Sequence, residues 1–149
     1  MSTHEAAISW TRQTESFGYD DYSRSHTWRF PNGHVVEASS APEFLGDPGR
    51  VDPEEAFVAA ISSCHMLTFL AIASRKRFVV DRYEDAAAGQ MEKNENGKLA
   101  VTSVVLRPKV EFSGDRRPSA EDVDRMHHQA HENCFIANSV RTRVVVETG

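Results

Sequence analysis

The stretch DPEEAFVAAISSCHMLTFLAIAS, residues 52–74, decides the fold. It reads as one long helix. Asp52 is placed to cap the free N–H groups, Pro53 suits the first helical position, and Glu54 and Glu55 favour the positive end of the helix dipole. From Ala56 to Ile61 and from Met66 to Ala73 the chain is almost entirely apolar. A helix that is apolar all round is normally buried all round, so the thiol of Cys64, near the middle, is expected to be buried or half-buried. The run has about the minimum length for a membrane span. However, Ser62, Ser63, Cys64, His65 and Thr68 gather at its centre, where a bilayer tolerates polar groups poorly. The reading is therefore the core helix of a soluble protein, with no membrane partner.

Upstream, residues 6–14 alternate around Ile8 and Trp10, and residues 22–30 (YSRSHTWRF) alternate more cleanly still. The second run puts Tyr22, Arg24, His26, Trp28 and Phe30 on one face, with the aromatic side inward. Arg24 thereby falls on the core face, where an arginine is costly unless an anion meets it. Pro31-Asn32-Gly33 is a hairpin turn, and residues 34–38 form the returning strand. Residues 39–51 make a Pro-, Gly- and Asp-rich loop into the long helix.

Downstream, residues 78–93 and 99–112 read as two long strands joined by the turn at 95–98, with a bulge or edge at Pro108. Residues 119–133 form a second helix, with Ser119 and Asp122 as a near-capping box. Val123, Met126, Ala130 and Cys134 recur at helical spacing, so the second cysteine lies on the buried stripe. Residues 140–147 close the chain as a strand. This order gives an α+β domain, with helices against a mainly antiparallel sheet. One sheet covers one side of a helix, and this helix is apolar on all sides. A second copy of the chain supplies the missing cover, so a homodimer is expected.

The chain of 149 residues suits one domain, so residues 1–149 are taken as a single unit. A net charge of -5 argues against non-specific nucleic-acid binding, which needs a basic face. No basic-then-apolar leader opens the chain, which makes the cytoplasm the expected location. In that reducing setting the two cysteines are no structural framework. Each is either a small core hydrophobe or a reactive thiol.

Three constellations compete. Cys64 and Cys134 sit on inward faces of the two long helices and can meet. A thiol beside an arginine is partly ionised, and a thiolate attacks the peroxide O–O bond to give a sulfenic acid that a second cysteine condenses with. Glu54 and Arg24 can form a bidentate pair that holds the guanidinium. About 15 Å of helical rise separates Glu54 from Cys64, however. A shared site then needs Arg24 to bridge the gap or Glu54 to come from a second subunit. The rival is a metal site on His127, His131 and Cys134, which share a helical face. A Cys–His pair of Cys64 with His65 is disfavoured, because neighbours on a helix point about 100° apart.

The runs DPEEAFVAAISSCHMLTFL (52–70), AHENCFIANS (130–139), YSRSHTWRF (22–30) and SAPEFLGDP (40–48) together closely resemble the OsmC/Ohr family of osmotically inducible and organic hydroperoxide resistance proteins. The resemblance is closer to the OsmC-like branch than to Ohr proper. Its specific element is Pro53-Glu54 ahead of a helix-borne Cys64, with Cys134 far downstream. The resemblance implies an OsmC-like fold, with mainly antiparallel sheets around a long buried central helix, in an intertwined homodimer with active sites at the interface. It implies a thiol peroxidase for organic hydroperoxides that uses no metal or flavin and is recharged by an external dithiol or lipoyl-type reductant. Cys64 would be the peroxidatic cysteine, Cys134 the resolving one, Arg24 the guanidinium at the site and Glu54 its acidic partner. His65 after the first cysteine, and Phe135-Ile136 after the second, depart from the Ohr pattern and bear on substrate and reductant. A redox sensor or small-molecule-binding module on the same scaffold is the alternative.

Overall fold

The computed structural model describes residues 1–148, and the chain is built as two compact units, Met1–Ala56 and Phe57–Gly149. In the first unit, β1 (Ala7–Ser9), β2 (His26–Arg29) and β3 (Val35–Ala38) form an antiparallel sheet in that order. Trp28 pairs with Ile8 on one side and Val36 on the other. The hairpin at Pro31-Asn32-Gly33 forms as expected. Gly33 takes φ +90° there, and the Phe30 N–H donates to the His34 carbonyl at 2.9 Å.

Both early strands are shorter than their alternation predicts. Tyr22 and Arg24 lie ahead of β2, not on its inward face. The cause is local. The Asp21 N–H turns back to the Gly18 carbonyl at 3.0 Å, and the Arg24 guanidinium bonds the carbonyls of Tyr19 and Tyr22, which holds the segment as a turn. The loop that follows carries a short 3-10 turn, Pro42–Phe44. Gly46 is fixed there by crowding, since a Cβ on it would meet the Ser40 carbonyl oxygen at 1.6 Å.

α1 (Pro53–Arg75) starts at Asp52 as the sequence predicts. The Asp52 side chain accepts from the Glu55 N–H at 2.8 Å, and the Glu55 carboxylate accepts from the Asp52 N–H at 3.0 Å, a reciprocal cap. By length and composition α1 could cross a bilayer. Instead, one stripe of it (Ile61, His65, Phe69 and Ala73) is packed into the core.

In the second unit the two expected long strands each break in two. They become β4 (Val79–Asp85) and β5 (Ala88–Lys93), then β6 (Leu99–Leu106) and β7 (Pro108–Ser113). β4 pairs with β7 in one sheet and β5 with β6 in another, all antiparallel. The corner is built by side-chain chemistry. Pro108 has no N–H for a continuous ladder, and the Arg107 N–H is taken by the Asp85 carboxylate at 2.6 Å. The β5–β6 turn is closed by Asn94 and Lys98 around Gly97, which has φ +73°. α2 (Ala120–Asn133) is capped by Ser119 and Asp122 in a full capping box. β8 (Arg143–Val146) then joins β6 in parallel. The result is an α+β fold with mainly antiparallel sheets.

Two apolar clusters hold this unit together. Phe69 and Ala73 of α1 pack with Phe78 and with Met126 and Ala130 of α2, while Ile61 packs with Val104 and Leu106 of β6. Burying a side chain such as Phe69 or Ile61 contributes about 1.5–3 kcal/mol each. Within one chain Ala59, Ala60, Ser63 and Leu67 are exposed, Leu67 at 60%. Within this unit the sheets and α2 pack on that one stripe of the helix.

Candidate active site

Cys64 lies half-buried at mid-α1, one residue before the core-facing His65. Cys134 is the C-terminal cap of α2 and is buried, at 1% exposure. Both are free thiols, and the fold brings them near enough for each to shift the other's acidity. Downstream of Cys134 the chain turns sharply: the Asn138 N–H bonds back to the Cys134 carbonyl at 3.0 Å, and the Ala137 N–H donates to the Cys134 sulfur at 3.4 Å.

The two sulfurs are electrostatically unequal. Burial pushes the Cys64 thiol up. Hydrogen bonds from the Cys134 S–H, the Ile136 and Phe135 N–H groups and the Thr68 hydroxyl outweigh that and hold it below the ordinary thiol value. Cys134 goes the other way. Burial raises it, and so do the hydrogen bond it gives to Cys64 and the negative charge it would face there, against a smaller pull from the Ala137 and Ile136 amides. Cys64 is thus the sulfur that ionises and Cys134 the one that keeps its proton. Hydrogen-bond donors, not a cation, bring Cys64 down. Thr68 and the two turn amides were not among the residues singled out from the sequence. Thr68 was legible as the i+4 neighbour of Cys64; the amides belong to a turn with no sequence signature.

In the first unit, Arg24 is half-buried and fully engaged locally. It donates to the Tyr22 and Tyr19 carbonyls at 2.5 Å each and stacks on the Tyr22 ring at 3.6 Å. With Trp10, Phe17, Tyr22 and His26 it lines an apolar hollow of about 240 Å³. Glu54 is half-buried at the start of α1, and burial together with the neighbouring Asp52 raises its carboxyl above the ordinary range. No ion pair joins Arg24 to Glu54 among the described residues, so the bidentate pair expected from the sequence is not made within one chain. The carbonyls and rings of Tyr19 and Tyr22 take the guanidinium instead.

The histidine helix resolves differently from its spacing. His127 turns inward, and its Nδ1 lies 3.0 Å from His65 Nε2 with the rings stacked at 5°. His127 also stacks on Phe69, with ring centroids 4.3 Å apart. Burial pushes both imidazoles down to about 4, with His127 and His131 adding to the effect on His65. His127 is thus taken up by contacts with His65 and Phe69. Among the described residues no three His, Cys, Asp or Glu side chains converge as metal ligands. His65, facing His127, is not a base for Cys64.

Comparison with known proteins agrees with this architecture. The family described as OsmC-like protein matches residues 46–149. An OsmC-like protein of unknown function from Vibrio cholerae is 52% identical over 100% of both chains, with a TM-score of 0.96. An organic hydroperoxide resistance protein from Elizabethkingia anophelis is 18% identical, covering 99% of this chain and 94% of its own, with a TM-score of 0.72. The organic hydroperoxide resistance protein OhrB of Bacillus subtilis is 17% identical, covering 99% and 98%, with a TM-score of 0.69. At those identities the last two show a shared fold alone. No curated protein matches the chain. With a family match over most of the sequence and a full-length relative of the same kind, the chain belongs to the OsmC-like protein family.

Proposed function

We propose that this protein is a thiol-dependent peroxidase that reduces organic hydroperoxides to alcohols. One observation carries the reading: two free thiols that shift each other's acidity, Cys64 toward the thiolate and Cys134 away from it. The Cys64 thiolate attacks the terminal oxygen of the hydroperoxide. The O–O bond breaks, the alkoxide leaves with the electron pair and takes a proton from solvent, and Cys64 becomes a sulfenic acid. Cys134 then attacks that sulfur. A Cys64–Cys134 disulfide forms, and the hydroxide leaves with the Cys134 proton as water. An external dithiol, of the lipoyl type or similar, restores both thiols by exchange and is itself oxidised.

Arg24 and Glu54 enter this reading through the family resemblance, Arg24 as the guanidinium that orients the peroxide and Glu54 as its acidic partner. The homodimer and the cytoplasmic location belong to the same proposal. Alkyl hydroperoxides are preferred to hydrogen peroxide because burial of an alkyl tail gains about 0.8 kcal/mol per CH₂. The test mixes reduced protein with cumene hydroperoxide and a dithiol and follows consumption over many turnovers. Sustained turnover that Cys64→Ser abolishes supports the reading. A single stoichiometric oxidation with no turnover favours a sensor, and consumption that survives Cys64→Ser overturns the mechanism.

A further inference from the structure

His26 opens β2, half-buried, and both nitrogens of its ring are engaged. Nδ1 lies 2.8 Å from the Arg24 carbonyl oxygen, and Nε2 receives the indole N–H of Trp28 at 3.0 Å. A carbonyl only accepts, and an indole N–H only donates. Nδ1 therefore carries the proton and Nε2 the lone pair. The two partners fix one tautomer of the neutral ring, and a second proton, on Nε2, would set two N–H groups against each other. The Arg24 carbonyl held by His26 belongs to the residue whose guanidinium reaches back to the Tyr19 and Tyr22 carbonyls. The indole N–H of Trp10 ties the same segment down at the Ser23 carbonyl, at 2.8 Å. A chain of hydrogen bonds thus runs from Trp28 on the sheet through His26 and Arg24 into the turn at residues 19–24. Histidine is the residue type in that chain whose charge changes between about pH 5 and 8.

We propose that His26 is a positioning residue for Arg24: the neutral ring ties the turn that holds the guanidinium to β2, and a second proton releases Trp28 and loosens that turn. The charged groups about His26 are cations. Arg24 lies on the turn itself, and Arg50, from the loop after β3, donates to the His26 carbonyl at 3.2 Å and has its acidic contact in Asp47 at 3.8 Å. On β3, Ala38 pairs with His26 and Glu37 with Thr27, so Glu37 lies on the other face of the sheet. On β1, the residue beside Thr27 is the uncharged Ser9. Tyr22 shares with His26 the hollow formed by Trp10, Phe17 and Arg24. Arg24 is therefore held in place while His26 is neutral and freed when it is charged, which lowers hydroperoxide reduction on the acid side. That last step rests on the reading of Arg24 as the residue that orients the peroxide; the tautomer and the turn do not.

The test follows the full-length protein by NMR from about pH 8 to about pH 5. The expected result is the Nδ1–H tautomer of His26 at the alkaline end. As the ring charges, the Trp28 indole resonance should shift and amide protection at residues 19–24 should fall about fivefold, the loss of one hydrogen bond. His26→Gln offers one donor and one acceptor on a side chain that does not titrate. It should keep the turn closed at both ends of the range, whereas His26→Leu, with neither, should loosen it at both. The pH profile of iodoacetamide labelling at Cys64, read by peptide mapping, should be the same in all three proteins. An Nε2–H tautomer at the alkaline end, or protection at residues 19–24 that does not respond as His26 charges, overturns the proposal. So does a Gln variant that loosens in acid as the wild type does. If the turn responds as expected while cumene hydroperoxide consumption falls as steeply in acid with His26→Gln as with the wild type, His26 still holds the turn and the role of Arg24 in the reaction fails.

Discussion

Cys64 and Cys134, far apart in sequence, shift each other's acidity in opposite directions. Cys134 as a hydrogen-bond donor lowers the Cys64 thiol, and Cys64 raises that of Cys134. Removing Cys134 therefore does two things. Cys134→Ser leaves an O–H donor in place but takes away the second sulfur. The sulfenic acid on Cys64 should then persist, trapped by dimedone and detected by mass, while turnover with dithiol drops at least tenfold. Cys134→Ala removes the donor as well, and the Cys64 labelling midpoint should rise, by about one unit. An unchanged midpoint in the alanine variant would contradict the hydrogen bond.

The buried His65–His127 stack predicts a specific acid sensitivity. Both imidazoles sit near 4 in the fold, below the ordinary histidine value, because burial disfavours their charged forms. The unfolded chain binds protons on them first as pH falls. Their contribution to stability is therefore complete above about pH 6.5 and is lost progressively as pH falls toward 4, after which it is flat. The loss is on the order of 3 kcal/mol for each imidazole. Urea melts between neutral pH and pH 4 should show that slope. His127→Phe, which keeps an aromatic ring against Phe69, should reduce that slope by about half, since burial still holds His65 down. A slope undiminished in that variant would assign the acid sensitivity to other groups.

Much of this architecture was legible in the sequence, because the signals were local. The Asp52 and Ser119 caps, the Pro31-Asn32-Gly33 hairpin, the long apolar helix and the amphipathic second helix each depend on residues within a few positions of one another. The cysteine pair was legible only as two inward faces, with the resemblance to a known family supplying the assignment. What alternation missed was non-local. The corner at Arg107 is set by Asp85 across the sheet. Arg24 was assigned to a strand because its neighbours alternate, yet the backbone carbonyls of Tyr19 and Tyr22 hold it in a turn. His127 looked like a ligand by spacing and became a core residue because His65 and Phe69 offered it partners.

Arg24 tests how the guanidinium is used. Its two carbonyl bonds and the stacked Tyr22 ring require a planar fork, which lysine does not supply. Arg24→Lys and Arg24→Met should both loosen the turn at residues 19–24, seen as faster amide exchange there. If Arg24 also orients the peroxide, both variants should lower the second-order rate with cumene hydroperoxide by at least tenfold while leaving the Cys64 labelling profile in place, because hydrogen-bond donors and not this cation set that profile. A shifted labelling profile would put the guanidinium at the thiolate instead.

The exposed stripe of α1 gives the last test, that of the homodimer. Ser63 and Leu67 are one helical turn apart and flank Cys64, and Leu67 is 60% exposed in the middle of an apolar helix. Leaving a leucine in water there forgoes about 1.5–3 kcal/mol that burial would return, and Ala59 and Ala60 extend the same surface. A second copy laid against this stripe would bury it, and a charge at its centre would oppose that burial from both copies at once. Leu67→Glu should therefore convert a dimer to a monomer by light scattering. Because Leu67 makes little contact within its own chain, the monomer's far-ultraviolet circular dichroism should match the parent. Leu67→Met, similar in volume and apolar, should remain dimeric. A wild-type protein that is monomeric at micromolar concentration, or a Leu67→Glu variant that stays dimeric, would remove α1 from the interface.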